Sequence, residues 1–226
     1  MFVDTEATGL PKRWNQPYSN FANWPSAVQV AWVVYKSDGT LVKTENHYVK
    51  DQDVELKASA IKIHGITRSF LNDHGEDRRM VMQNLANDLI NYQPLVIGHF
   101  MEFDHHVASA DFCRSGISNP LESLPQYCTM LASSFYVRDP SVSHLRLGEL
   151  YTLLFDVKLE NPHNALTDAQ ATAQCFFELL RRGDITDEGI DLFQHENKRQ
   201  KHAKGFPWFL SLVMLLVLTI LVTLWI

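Results

Sequence analysis

The stretch FVDTEATGL, Phe2–Leu10, begins with an apolar pair, places carboxylates at Asp4 and Glu6, and closes on Gly9-Leu10. Met1–Asp4 forms at most a short strand, and on that strand Asp4 and Glu6, two apart, share a face. Such a face is not ordinary core, because two unpaired buried carboxylates are costly. It suits a strand end open to solvent, or one opposite a cation. Outward from this stretch, Gly9-Leu10-Pro11 breaks the strand, and 11–26 reads as a long loop rich in aromatics. AVQVAWVVY, Ala27–Tyr35, reads as a mostly buried strand, Ser37-Asp38-Gly39 as a hairpin turn and Leu41–Val49 as its partner. Met80, Val81, Leu85, Leu89 and Tyr92 recur near helical spacing within 77–92. Leu95–His99 is a short buried strand, followed by a helix from near Phe103 to the Ser115-Gly116 stop. Two more helical patterns cover Leu147–Phe155 and Ala165–Arg182. This order, with no internal repeat, predicts an α/β or α+β domain on a mixed sheet.

Two further carboxylates fall at comparable places. Asp104 opens a helix directly after a buried strand, and Asp168 lies in the first turn of 165–182. Each alone is explained by the helix dipole, which favours acids there. His163 sits five residues before Asp168 in the polar run Asn161-Pro162-His163-Asn164. Taken together, four acids at strand ends and helix starts fit two hard divalent cations, because Mg²⁺ prefers carboxylate and phosphate oxygens. Two such ions about 4 Å apart hold the attacking and leaving oxygens of a phosphodiester in line. A histidine, titrating near neutrality, can take the proton of the attacking water. No nucleophile elbow, P-loop or dinucleotide fingerprint is present.

These blocks resemble the DEDDh (DnaQ-like) 3′–5′ exonucleases. FVDTEATGL is close to the family's D-T-E-T-T-G-L, IGHFMEFD (Ile97–Asp104) to V-A-H-N-x-x-F-D, and HNALTDAQAT (His163–Thr172) to H-x4-D. SAIKIHGIT (Ser59–Thr67) is similar to the family's I-H-G-I-T segment. The four stand in the family's order from residue 2 to 172. The resemblance implies a ribonuclease-H-like α/β fold, with a mixed five-stranded sheet flanked by helices. It implies that Asp4, Glu6, Asp104 and Asp168 bind two Mg²⁺ ions, for which Mn²⁺ can substitute, and that His163 is the general base. It also places the 3′-terminal nucleotide against Ala7, Thr8, Gly9 and Leu10, with His64 nearby. Phe100 stands where the family usually has Asn, close to the substrate sugar, and Ala7 replaces a more common Thr. In this chain, therefore, the resemblance leaves the preference between DNA and RNA open.

Composition narrows the rest. The 226 residues carry a net charge of −6, and three unclustered cysteines argue against a disulfide framework and for a reducing compartment. From Phe206 to Ile226 the sequence FPWFLSLVMLLVLTILVTLWI has no charged residue. As a helix its 21 residues would reach about 31 Å, enough to cross a bilayer core. Trp208 and Trp225 lie near its ends, and Lys198, Arg199, Lys201 and Lys204 precede it. The sequence thus predicts three parts: an exonuclease domain over 1–185, a helical basic juxtamembrane linker over 186–205, and a transmembrane tail anchor over 206–226. The first 195 residues or so would face the cytoplasm. Without the four positive charges of 198–226, residues 1–197 carry −10. That balance disfavours non-specific coating of long duplexes, which depends on Lys and Arg. The expected partners are 3′ ends of single-stranded DNA or RNA and the membrane; homodimers are compatible with the family, but no residue specifies an interface. The competing expectation is a non-catalytic nucleic-acid or protein-binding module on the same fold. Such a module would be expected to lose one of the five site residues, and all five are present.

Overall fold

The computed structural model describes residues 1–50 and 54–194. Six strands form one sheet in the order β4-β3-β2-β1-β5-β6. The central strand β1 (Phe2–Ala7) pairs antiparallel with β2 (Ala27–Tyr35), and β2 pairs antiparallel with β3 (Leu41–Lys50). On the other side of β1, β5 (Val96–Gly98) and β6 (Gln126–Cys128) run parallel to it. A two-residue β4 (Glu76–Asp77) continues the end of β3. The expected five-stranded sheet is therefore corrected to six. Strands of two and three residues are too short to carry any hydropathy period, and backbone pairing alone defines them.

Helices cover both faces of the sheet. Phe2 meets Phe176 and Phe177 of α7 (Ala165–Arg182) at ring separations of 5.5 and 5.7 Å. Its neighbour Val3 lies opposite Trp32, whose indole donates to Asp88 of α3 (Arg78–Tyr92) at 2.8 Å. Adjacent strand residues point to opposite faces, so α7 packs on one face and α3 on the other. That double cover is why β2 reads as a nearly unbroken apolar run rather than an alternating one. The remaining helices are α1 (Ala58–His64), α2 (Arg68–His74), α4 (Met101–Ser115), α5 (Thr129–Ala132) and α6 (Leu147–Phe155).

Two boundaries differ from the sequence expectation. β1 runs on to Ala7, held by β2 through a register shift between Glu6 and Ala7, so Glu6 lies within the strand. Helix α4 starts at Met101 rather than near Phe103, with Phe100 at its N-cap and no side chain capping it. The absence of a capping side chain removes the usual sequence mark of a helix start. Of the linker helix and transmembrane segment expected over 186–226, residues 187–194 are helical, and 195–226 lie outside the described residues. No helix among the described residues is long and apolar enough to cross a membrane.

Candidate active site

The register of β1 determines which acids meet. Asp4 and Glu6 lie on the Phe2 face, the one covered by α7. From Asp168 to Phe176 is eight helical residues, about 12 Å, and from Glu6 to Phe2 is four strand residues, about 13 Å. A helix antiparallel to β1 that packs Phe176 on Phe2 therefore delivers Asp168 beside Glu6. Ligand atoms of Glu6, Asp168 and His163 lie within 4.8 Å of one another.

The start of α7 is tightly fixed. Asn164 caps it, accepting from Leu166 and Thr167, and the buried Gln29 of β2 accepts from the Ala165 amide at 3.1 Å. The His163 amide donates to Asp168 Oδ2 at 3.0 Å. His163 itself has φ of 64°, and Asn161, two residues earlier, 49°. Both are in the left-handed region that non-glycine residues seldom enter, and such strained backbone tends to mark functional sites.

Asp104 arrives from the other side of β1. The parallel strand β5 ends at Gly98, and the first turn of α4 brings the Asp104 carboxylate to Thr5, whose amide and hydroxyl donate to Oδ1 at 2.9 and 2.8 Å. A Cβ on Gly98 would stand 3.2 Å from Asp104 Oδ2 and from the Met101 backbone, so a glycine there lets the helix close onto the strand.

Burial raises all four carboxylates, and for Asp4, Glu6 and Asp104 neighbouring acids add to it. Burial first, then Asp104, Asp168 and Glu6, push the Asp4 carboxyl well above the usual carboxylate range. Burial, then Asp168 and Asp104, push Glu6 up to about 8. Burial also lifts Asp104 to about 7 against the opposing bonds from Thr5, and lifts Asp168 against the His163 backbone and ring. The buried Asp168 Oδ1 has no hydrogen-bond partner among the described residues. A cluster of oxygen donors that resists ionising, with one orphaned buried carboxylate oxygen, fits a hard divalent cation, which would satisfy the oxygen and neutralise the repulsion.

The expected nucleotide contacts adjoin this cluster. Thr8 is pinned by its amide to Ser26 O at 2.9 Å, and its hydroxyl accepts from the Ser26 amide at 3.1 Å. Ala7 and Thr8 are buried, whereas the Leu10 side chain is 66% exposed. His64 of α1 accepts the Ile66 amide on Nδ1 at 3.0 Å. Burial lowers its pKa against the effect of the Ala7 backbone, and His163 lowers it further, so the His64 ring borders both segments.

The aromatic loop divides into two parts. Trp24 is buried and stacks on His106 at 4.8 Å, and Tyr18 shares a 2.9 Å hydrogen bond with His106, so this half is a packing plug. Trp14 (41% exposed) meets His106 at 5.7 Å but also lies against Phe100 (39% exposed), which stacks on Phe103 at 6.0 Å. The loop thus presents aromatic surface one residue from Asp104.

Sequence reasoning missed Thr5, Gln29, Asn164 and Gly98 as residues that position the acids. Only Asn164 carried a local mark, as an N-cap type before an apolar-periodic run.

A family model described as an exonuclease of the ribonuclease T type matches residues 1–176. No curated protein matches the chain by sequence. Among solved structures, Escherichia coli exonuclease I in a zinc-bound complex with single-stranded DNA is similar, with a TM-score of 0.67 at 20% identity. That match covers 89% of this chain and 44% of the other. Escherichia coli exonuclease I with a dT13 oligonucleotide gives 0.62 at 18%, covering 80% and 40%. A moderately thermophilic exonuclease I from Methylocaldum szegediense gives 0.62 at 20%, with the same coverage. At these identities the likeness is one of fold, and the chain spans less than half the length of these relatives.

Proposed function

The chain belongs to the exonuclease family, and from that premise we propose that it hydrolyses phosphodiester bonds at 3′ ends, with single-stranded DNA favoured and RNA also a substrate. One observation carries this reading: Asp4, Glu6, Asp104 and Asp168 converge from β1, α4 and α7, with Asp168 Oδ1 buried and without a partner among the described residues. The exonuclease I structures that share the fold hold oligonucleotides, which supports single-stranded DNA as the substrate class.

Asp4, Glu6, Asp104 and Asp168 would hold two Mg²⁺ or Mn²⁺ ions, whose charge would offset both the carboxylates and the phosphodiester. Thr5 keeps Asp104 oriented, and the His163 amide does the same for Asp168. The His163 ring, exposed beside Glu6 and Asp168, accepts the proton of the attacking water. Water oxygen bonds to phosphorus as the bond to the 3′ oxygen of the preceding nucleotide breaks. That oxygen takes a proton and becomes the new 3′ hydroxyl, and a nucleoside 5′-monophosphate leaves. Leu10, exposed at the end of the β1 loop, packs on the terminal base.

The uncharged segment 206–226 anchors the enzyme in a membrane as a single span, with the catalytic domain on the cytoplasmic side beside its basic flank. Retention of the chain in membranes after alkaline carbonate washing, and its release when 206–226 is deleted, is the expected result.

The test of the activity incubates the detergent-solubilised chain and its Asp168→Ala variant with 5′-labelled DNA and RNA of one sequence, in Mg²⁺, Mn²⁺ or EDTA. A metal-dependent ladder shortening from the 3′ end, absent from the variant, is expected. Intact strands of both kinds would leave a non-catalytic binding module as the reading.

A further inference from the structure

Immediately beyond the β1 carboxylates, the loop Thr8–Leu10 forms one wall of a cavity of about 550 Å³. Among the described residues four cations line it, Lys12, Lys57, Arg78 and Arg114, against one acid, Glu55. This is an unusual concentration in a chain whose residues 1–197 carry −10. The cations are of two kinds. Arg114 is committed to the fold: it bonds Asp111 at 2.6 Å and the carbonyls of Trp24, Pro25 and Phe21. Arg78 also faces Asp111, at 3.6 Å. Lys12 and Lys57 are exposed and make no ion pair among the described residues.

Lys57 is held in place by its own backbone and by a glycine. Its amide donates to Thr8 O at 3.2 Å, which fixes the start of α1 against the loop. Its side chain then crosses Gly9 so closely that a Cβ there would lie 2.8 Å from Cδ and 3.2 Å from Nζ. The ammonium group is thereby placed over a residue only three positions after Glu6, within about 10 Å of backbone. Lys12 is set across the same cavity by its amide bond to Asn23 O at 3.1 Å.

We propose that this cavity is a second phosphate subsite, in which Lys57 and Lys12 hold an internal phosphodiester of the strand whose 3′ end lies at the carboxylates. The inference rests on the exonuclease reading and deepens it. An acidic domain repels a polyanion everywhere except where charge is locally reversed. Here the reversal begins at Gly9, three residues along the chain from Glu6, and the cavity is large enough for a nucleotide, since ligand cavities run from roughly 300 to 1,000 Å³. Terminal cleavage then depends on anchorage one or more nucleotides back, and very short strands bind poorly.

The test uses the full chain in detergent and a fluorescein-labelled single-stranded oligonucleotide. EDTA is present so that nothing is cleaved, and anisotropy is read across a salt series. Replacing both lysines (Lys12→Gln with Lys57→Gln) is expected to weaken binding about tenfold or more. It should also flatten the salt dependence by roughly 0.7 for each single-strand phosphate no longer neutralised. Lys57→Arg should restore most of the loss, and Lys36→Gln, away from the cavity, should match the parent. Parent-like affinity and slope in the double variant, an equal loss in Lys36→Gln, or no binding by the parent chain would each overturn the proposal. Competition by thymidine 5′-monophosphate as effective as that of an oligonucleotide would overturn it in favour of a free-nucleotide site. Cleavage is scored separately: a parent that binds through the lysines but never cleaves removes the exonuclease reading. A parent that cleaves while the double variant binds normally removes only the subsite.

Discussion

Thr5 grips Asp104 twice, through its amide at 2.9 Å and its hydroxyl at 2.8 Å, both to the same carboxylate oxygen. In a parallel pair alternate amides of one strand face the neighbour. Ile97 of β5 already donates to Met1 O, and β5 ends one residue later, at Gly98. Two alternations along β1, the Thr5 amide faces that same edge where no further strand residue remains to receive it. Asp104 takes the vacant place, so a backbone donor left over by the sheet becomes the clamp for an acid of the candidate site.

Thr5→Val keeps the amide bond and deletes the hydroxyl bond. It should cost about 1 kcal/mol of stability, but lower kcat by about tenfold, because Asp104 is left free to turn. Thr5→Ser should recover most of the rate. Denaturant melts beside steady-state kinetics separate the two effects, and an unchanged kcat in Thr5→Val would remove the positioning role.

The raised carboxylates make stability depend on pH and on cations. Without metal, folded Asp104 and Glu6 keep protons up to about 7 and about 8. In the unfolded chain they lose them near 4. Between those limits the folded state binds more protons, so the contribution is fully present below about 4 and is lost as pH rises towards 8. Added Mg²⁺ or Mn²⁺ binds the ionised form, so the rise in Tm on adding cation should grow from pH 5 to pH 8. The Asp104→Asn, Glu6→Gln double variant should show a shallower slope, with Asp4 and Asp168 still raised by burial, and should lose most of the cation response. Differential scanning fluorimetry in EDTA and in Mn²⁺ measures both, and a cation effect independent of pH would contradict the account.

His163→Ala should reduce kcat by about 10²- to 10⁴-fold, the usual worth of a positioned base, with substrate affinity largely kept. The bonds that hold Asp168 and its helix run through the His163 amide, Asn164 and Gln29, not through the imidazole. A circular-dichroism spectrum and Tm equal to the parent's are therefore expected, and a misfolded variant would show that the ring has a structural role.

Phe100 and Trp14 offer an exposed aromatic surface at the start of α4, the helix that carries Asp104. Stacking contributes about 1–3 kcal/mol per base in single-strand binders, so Phe100→Ala should raise KM for an oligonucleotide at least about fivefold while kcat holds. A fall in kcat at constant KM would instead assign Phe100 to fixing the start of α4, whose N-cap it occupies.

Helices α6 and α7 were legible to the residue, because a clear apolar period is bounded in α7 by an N-cap asparagine and a left-handed Gly183. The four acids stood out in the sequence because two acids at i and i+2, and acids at two helix starts, are local patterns, and the structure brings Glu6 and Asp168 together with His163. Strands β4 and β6 were not, since two or three residues carry no period, nor were α1 and α2 at seven residues each. The start of α4 was misplaced because nothing caps it by side chain.

What the sequence determined by itself is which residue types stand at the ends of which elements, because capping, alternation and helical period act over a few neighbours. What only the tertiary structure decided is that these ends coincide. The antiparallel run of α7 over β1 brings Asp168 to Glu6, and the early end of β5 brings Asp104 to Thr5. Lys57 comes to lie over Gly9 because α1 begins at the Thr8 carbonyl. Each is a contact between segments distant in the chain, fixed by register and packing rather than by any local preference.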